Sequence, residues 1–455
     1  MEEEFYNPQF HSERKLPWGG EVHVLNKESA ITEEDTAMMQ ALYSRSLGGF
    51  RGVLEKLRTS ESGKFMNTYY IGYGHKSIGD CGETVAFIDG VSMLTAKALQ
   101  DSQLYKGQES STRYIDFSQQ PFFDPTNSTE GKKLLEEERT FYLSAIEPTA
   151  EVLMKQHPRE QGQDEKTYTK AIRARAFDIT RSLLPAGAQT NVSWTTNMRL
   201  ARDRLLFLRH HPLQEVRTVA ETLEEALREQ HPNSFPTKRY PEQEAYQELI
   251  AEDYYYHCPR QGLETTITTT IDKNELWNHA KKLLTTRPEK TELPKYLAEL
   301  GTLTTHYTLD FGSFRDIQRH RAVQQRMPLL TTELGFHPWY EENLAPTIKE
   351  QLPEHLERIK ENITSLGVSP EEAQYYTPMG YLTTNKFTGD LPAVTYLVEL
   401  RNSRFIHPTL RTLAGEITDY LEQELEVPLH VDKTPGEFDI KRGEQDITEI
   451  QRGTE

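Results

Sequence analysis

Phe314-Arg315-Asp316-Ile317-Gln318-Arg319-His320-Arg321-Ala322-Val323-Gln324-Gln325 packs two permanent cations around one imidazole at Arg319, His320 and Arg321. Such a triplet suits a pyrophosphate or a stacked ring, and it would serve equally as solvated surface. The apolar, proline-containing run Arg326-Met327-Pro328-Leu329-Leu330 follows, so Arg321 is expected at a helix end beside a packed loop. Roughly two hundred residues upstream, Gln108-Glu109-Ser110-Ser111-Thr112-Arg113-Tyr114 gathers three hydroxyls and a guanidinium. Those are the parts of a phosphate cradle, or of an ordinary capped turn. Gly74-His75-Lys76-Ser77 precedes a helical stretch, which makes Ser77 an N-cap or part of an anion site.

An internal repeat links the two regions. Pro185 is followed twelve residues later by Asn197, and Pro378 twelve residues later by Asp390. Leu208-Arg209 then matches Leu400-Arg401, His211-Pro212 matches His407-Pro408, and Arg217-Thr218-Val219-Ala220 matches Arg411-Thr412-Leu413-Ala414. Four matches in order point to a duplication rather than to two unrelated helical domains. Apolar spacing predicts helices over Gly79–Leu104, about Leu134–Gln156, Lys170–Leu184 with Pro185 as the stop, Ala201–Leu208, Gln214–Arg228 and Thr409–Glu424. Thr190–Thr195 and Thr265–Thr270 are β-rich strand candidates. A polar stretch with Pro232, Pro236 and Pro241 suits the connection between halves, and the tail from Lys433 is expected to be loose.

At 455 residues the chain can hold two or three domains with real cores. A net charge of −18 argues against general nucleic-acid or membrane-surface binding, so clustered cations are expected to form local sites for small-molecule phosphates. With Cys81 and Cys258 alone there is no disulfide framework and no four-cysteine zinc site; both are expected to be inert, and a reducing cytosol fits. Met1-Glu2-Glu3-Glu4-Phe5 is acidic and unlike a signal peptide, and no apolar run is long enough to cross a membrane.

The quoted residues resemble the flavin-dependent thymidylate synthases. In that family Arg-His-Arg, seven residues and a Ser form one continuous motif, with Glu two before the Ser and Arg-Tyr shortly after. Here each half keeps a different part. The first half resembles the family through Gly74-His75-x-Ser77, Glu109-x-Ser111-x-Arg113-Tyr114, continued by Asp116-Phe117, Arg181 four before Pro185, and Asn197-x-Arg199. Its Asp80-Cys81 stands where the family has Glu-His, and Arg209 is one residue out of register. The second half keeps Arg319-His320-Arg321 and Arg401 in register, while Asp390-Leu391-Pro392 replaces Asn-Ala-Arg, Gln374 replaces the Arg before the proline, and Met327 and Leu329 replace the Glu and Ser.

The resemblance implies an α+β fold of two repeated lobes, 1–240 and 241–455, each a helical bundle with a small mainly antiparallel sheet. It implies synthesis of dTMP from dUMP with FAD, NADPH and methylenetetrahydrofolate. Arg401 and Arg209 would be the candidates for polarising the pyrimidine. His75, Ser77, Glu109, Asn197, Arg199, Arg319, His320 and Arg321 would contact cofactor, and Glu109, Ser110, Ser111, Thr112, Arg113 and Arg181 would contact nucleotide. Family members are homotetramers with sites between subunits, so the split motifs imply one composite site per chain and a homodimer acting as a pseudo-tetramer in the cytoplasm. A catalytically inactive nucleotide- or flavin-binding protein, or an enzyme for another pyrimidine nucleotide, are the alternatives.

Overall fold

The computed structural model describes residues 11–25, 32–43, 61–113, 117–256, 262–434 and 438–444. Tyr114, Asp116 and Cys258 lie outside the described residues. The chain divides into two compact units: Met1–Ser110 with Ala188–Tyr256, and Ser111–Gly187 with His257–Glu455. These units do not follow the expected 1–240 and 241–455 division, because residues 111–187 are gathered with the second half.

The first unit holds an antiparallel sheet in chain order, β1 (His11–Lys15), β2 (Glu21–Leu25), β3 (Glu83–Ser92) and β4 (Gln189–Asn197). Alternation places Val22, Val24, Ala86, Ile88, Val192 and Trp194 in the core. The amphipathic helix Gln214–Gln230 lies against β1 and β2 and buries Val216, Val219, Ala220, Leu223 and Leu227. Asn197 ends β4 and caps the helix Met198–Leu208, its side chain accepting from the Leu200 N–H at 2.9 Å.

One expectation fails here. Gly79–Leu104 is not a continuous helix but β3 followed by the helix Met93–Gln100. Ile88 and Val91, both buried, are three apart because the strand changes phase at a bulge, where Asp89 and Gly90 stand against Asn191 alone. Gly90 takes φ +68° there, a left-handed conformation that a side chain would strain. The bulge gives a period-two strand the spacing of a helix.

The second unit repeats the plan with sheet order β5-β6-β8-β7: β5 (Thr266–Thr269), β6 (Thr302–Asp310), β7 (Gln324–Arg326) and β8 (Leu382–Asp390). As in the first unit, two adjacent strands each run straight into a helix, here Phe311–Ile317 after β6 and Leu391–Arg401 after β8, capped by Asp310 and Asp390. The registers agree as well. Lys106 bridges Thr195 on β4, and Gln324 pairs with Thr388 on β8. Ser92 and Glu215 make a buried bond in one unit, Ser92 N–H and Oγ both reaching the carboxylate. In the other, Thr409 Oγ1 donates to Asp310 at 2.8 Å, so acid and hydroxyl have changed places.

The helices Thr129–Gln156 and Glu165–Thr180, from the first half of the sequence, belong to the second unit. The former packs on Pro346–Leu366, where Phe141 stacks on His355 at 3.8 Å between ring centroids. The tail, expected to be loose from Lys433, is anchored at 438–444. Phe438 stacks on His157 at 4.9 Å, Asp439 pairs with Arg404 at 3.3 Å, and Arg442 is buried. Helices Met198–Leu208, Gln214–Gln230 and Pro408–Gln423 and strands β4 and β5 fall where the sequence placed them.

Candidate functional site

In the second unit, the short helix Phe311–Ile317 begins where Asp310 Oδ2 accepts from the Ser313 N–H at 2.8 Å. It brings Asp316 and Arg319 to one face, three residues apart, with Arg319 Nη2 donating to Asp316 Oδ1 at 2.8 Å. Arg401 ends the helix Leu391–Arg401 and donates from Nε to His320 Nε2 at 2.8 Å and from Nη2 to the Asp316 carbonyl at 2.8 Å. A guanidinium has no acceptor, so Nε2 of His320 is unprotonated and Nδ1 carries the hydrogen. Burial, then Arg401 and Arg319, lower the His320 pKa to about 3. His320 is therefore neutral at physiological pH and orients Arg401 rather than adding charge.

Residues from the first half join the same network. Arg113 grips Asp178 in a fork, Nε to Oδ1 at 2.7 Å and Nη2 to Oδ2 at 3.2 Å, and also reaches the Phe405 carbonyl at 3.2 Å. Arg442 binds the same carboxylate at 2.6 and 2.8 Å. Buried Arg181 donates to Ser313 Oγ at 2.8 Å and pairs with Asp316 at 3.3 Å. Burial alone would raise both carboxyls, but the surrounding guanidiniums win. Arg113 and Arg442 hold Asp178 well below the usual range, and Arg181, Arg319, Arg113 and Arg401 do the same for Asp316. His407 completes the set, its Nε2 donating to the Asp178 carbonyl at 3.1 Å while Nδ1 faces Ser313 and Thr409 hydroxyls.

Beside this network opens a cavity of about 410 Å³ lined by Lys295, Arg319, His320, Arg321, Asp390, Tyr396 and Arg401, among others. Arg319 and Arg321 stand exposed at its rim, and the half-exposed Tyr396 ring meets His320 edge-on at 5.8 Å. Two cations beside an open aromatic face fit the diphosphate and ring of a flavin nucleotide. Asp390 spends one oxygen on the Ala393 N–H at 2.8 Å, and Pro392 offers no donor.

The remaining candidates lie elsewhere or do other work. Asn197 is a helix cap, and Arg199 is tied to Asp80 at 2.7 Å and Asp203 at 3.6 Å. Arg209 pairs with Glu224 and Glu244, each at 2.7 Å. Glu109 accepts from Gln100 at 2.6 Å. Ser110 donates its N–H to the Asn191 carbonyl, Ser111 Oγ accepts from the Arg113 N–H at 3.3 Å, and Thr112 is buried. Ser77 is not an N-cap: it lies inside the short helix Lys76–Gly79, whose cap position is His75, with no side-chain bond. His75 is exposed and stacks with Tyr69 and Tyr73. Cys81 is half-buried with its thiol pushed up by burial and by Asp80, as suits an inert group.

Sequence reading missed Asp178, Asp316, Ser313, His407 and Arg442. The first two had a signal. Asp178-Ile179-Thr180-Arg181 and Asp316-Ile317-Gln318-Arg319 repeat one Asp-Ile-x-Arg pattern, which sets acid and base on one helical face. Arg442 had none, because its partner lies far away in sequence.

Residues 26–233 match the family described as thymidylate synthase complementing protein, Thy1. That stretch is similar to the family. A UPF0159 protein of Chlamydia muridarum is 26% identical over 82% of this chain and 84% of its own length, so similarity extends well past residue 233. A UPF0159 protein of Chlamydia pneumoniae is 26% identical with the same coverage, and one from Thermoplasma acidophilum is 25% identical over 55% of this chain and 57% of its own. Among solved structures, Thymidylate Synthase X from Helicobacter pylori with FAD and dUMP is 18% identical, covers 47% of this chain and 96% of its own, and has a TM-score of 0.30. The UMP/dUMP methylase PolB from Streptomyces cacaoi is 16% identical over 47% of this chain and 93% of its own, with a TM-score of 0.31. Among the described residues no cluster could hold a metal ion, and no helix is long and apolar enough to cross a membrane.

Proposed function

We propose that this chain is a Thy1-family enzyme, a flavin-dependent thymidylate synthase forming dTMP from dUMP with methylenetetrahydrofolate and NADPH. One observation carries the reading: Arg113 and Arg181 of the first half share a single network with Arg319, His320 and Arg401 of the second half, inside one compact unit. This network supports a site that draws Arg113 and Arg181 from the first half, while Glu109 belongs to the other compact unit. Bound FAD would supply the redox chemistry, held at its diphosphate by Arg319 and Arg321 and alongside the Tyr396 ring. Arg113 and Arg181 would anchor the nucleotide phosphate. Arg401, fixed by His320 and the Asp316 carbonyl, places a permanent guanidinium to stabilise negative charge on the pyrimidine as C5 becomes nucleophilic. A homodimer forming a pseudo-tetramer in the cytoplasm fits the family's assembly.

A second reading, a nucleotide- or flavin-binding protein without turnover, is favoured by Pro392 and by the carboxylates already satisfying Arg113 and Arg181. Absorbance and titration of the purified chain with FAD separate the two, followed by an assay for NADPH oxidation and dTMP formation. About one flavin per chain with dUMP-dependent turnover is the expected result. A chain that binds flavin or nucleotide and forms no dTMP establishes the second reading, and two equivalent flavins per chain rule out a single composite site.

A further inference from the structure

Arg442 stands in the tail, 264 positions after Asp178, and belongs to no repeat match and no motif. The short helical turn that carries it, Ile440–Glu444, is seated on the helix Glu165–Thr180. Gly443 shows how closely: a Cβ there would stand 2.1 Å from the Thr167 carbonyl oxygen, a backbone atom. Phe438 against His157 and Asp439 against Arg404 hold the approach to the turn. These contacts fix where the Arg442 guanidinium lies.

Asp178 has no exposed side-chain surface, and a carboxylate offers about four lone-pair positions. Two forks take all of them: Arg113 Nε at 2.7 Å and Nη2 at 3.2 Å, Arg442 Nη1 at 2.6 Å and Nη2 at 2.8 Å. One negative charge is therefore shared by two guanidiniums. A third, Arg175 over the Trp339 ring at 5.2 Å, acts on the same carboxylate. His407, bonded to the Asp178 carbonyl, stays neutral because burial pushes its pKa well down. The group thus keeps a positive excess. Arg113 leaves 12% of its side chain exposed and Asp178 none, so a solute meets the cation and not the acid.

We propose that Arg442 is a positioning residue for the nucleotide phosphate: by taking half of the bonds to Asp178, it leaves Arg113 with charge to offer an anion. The inference rests on the reading that Arg113 anchors the dUMP phosphate. Without Arg442, Asp178 would spend its whole charge on Arg113, and a locally neutral pair attracts a phosphate poorly. Arg442 acts through Asp178 and need touch no substrate.

The test is calorimetric titration of full-length variants with dUMP and, separately, with FAD. Arg442→Gln is expected to weaken dUMP binding about tenfold or more, the scale of one charge-assisted interaction, with FAD binding little changed. Arg442→Lys should restore most of the affinity by returning the charge. Asp178→Asn added to Arg442→Gln should restore it too, because no carboxylate then opposes Arg113; a brace for the fold would not be rescued by losing its partner as well. Parental dUMP affinity in Arg442→Gln, together with a loss in Arg113→Lys, overturns this inference alone. Unchanged affinity in Arg113→Lys, or no dUMP binding by the parent, overturns the phosphate-anchor reading and this inference with it. Equal losses of dUMP and FAD affinity in Arg442→Gln, or no recovery in the double variant, would make Arg442 a structural brace and overturn the proposal.

Discussion

Pro185 and Pro378 face one another across an antiparallel bridge, and each stands twelve residues before a helix cap, Asn197 or Asp390. The bonds around them are reciprocal. The Ala186 N–H donates to the Thr377 carbonyl and the Met379 N–H to the Leu184 carbonyl; Gly187 donates to Tyr375 and Gly380 to Ser182. Each bond has a counterpart between equivalent residues, so a local two-fold axis passes between the prolines, as in an isologous contact between two copies. Neither proline has an N–H to donate, and none is needed there, because Ala186 and Met379 supply the flanking bonds.

Gly187 and Gly380 allow that close approach. A Cβ at Gly187 would stand 2.7 Å from the Tyr375 carbonyl oxygen and 2.8 Å from that of Phe123, both backbone atoms with little room to move. Gly187→Ala should therefore cost about 1–3 kcal/mol by overpacking. Gly415→Ala, in the helix Pro408–Gln423 with nothing within 4 Å, should stabilise by up to about 1 kcal/mol. Urea midpoints of the two variants against parent check both signs.

Arg113 holds Asp178 as well as any phosphate it might meet, so its removal has two effects. Arg113→Ala breaks a buried ion pair and should cost about 3 kcal/mol or more in stability. Asp178→Asn in the same chain should recover part of that. Arg113→Lys keeps the charge without the fork and should weaken dUMP binding about tenfold while FAD binding changes little. An unchanged dUMP titration for Arg113→Lys would show that Arg113 is only a strut between Asp178 and the Phe405 carbonyl.

Arg401 and Arg209 are expected to differ in consequence. Arg401→Lys loses the Nε bond to His320 and the planar fork, and should abolish most dTMP formation with the fold intact by circular dichroism. Arg209→Lys disturbs ion pairs to Glu224 and Glu244 in the other unit and should leave turnover within a few-fold of parent. The opposite ranking of initial rates would assign the reaction to the first unit.

Glu138 is fully buried, and neither of its carboxylate oxygens has a hydrogen-bond partner among the described residues. Burial, then Glu137, push its pKa well above the ordinary range. A folded pKa above the unfolded one means that the native state binds the extra proton. Stability is then fully present below the unfolded carboxyl pKa, near 4.3, and falls as pH rises through the folded value, by at most about 1.4 kcal/mol per pH unit. Glu138→Gln removes that loss, so its advantage over parent should be small at pH 4 and grow towards pH 8 in urea unfolding. A constant difference across that range would mean that Glu138 ionises normally.

The sequence was enough for most helices, two strands, the matched twelve-residue spacings and the identity of the cationic residues. Those features are local or periodic: a proline stop, an apolar stripe and a twelve-residue spacing survive without neighbours. It misread β3, because one extra residue at Gly90 shifted the phase of the strand and mimicked helical spacing. Only the tertiary structure decided the rest. It assigned residues 111–187 to the second unit, seated Arg442 on Asp178 from 264 positions away, and turned Arg113 and Arg181 into buried partners of carboxylates. The physical reason is that a guanidinium written in a sequence declares a charge but not its counter-charge. Whether it faces a ligand, a carboxylate or water is settled by which distant segments share its burial.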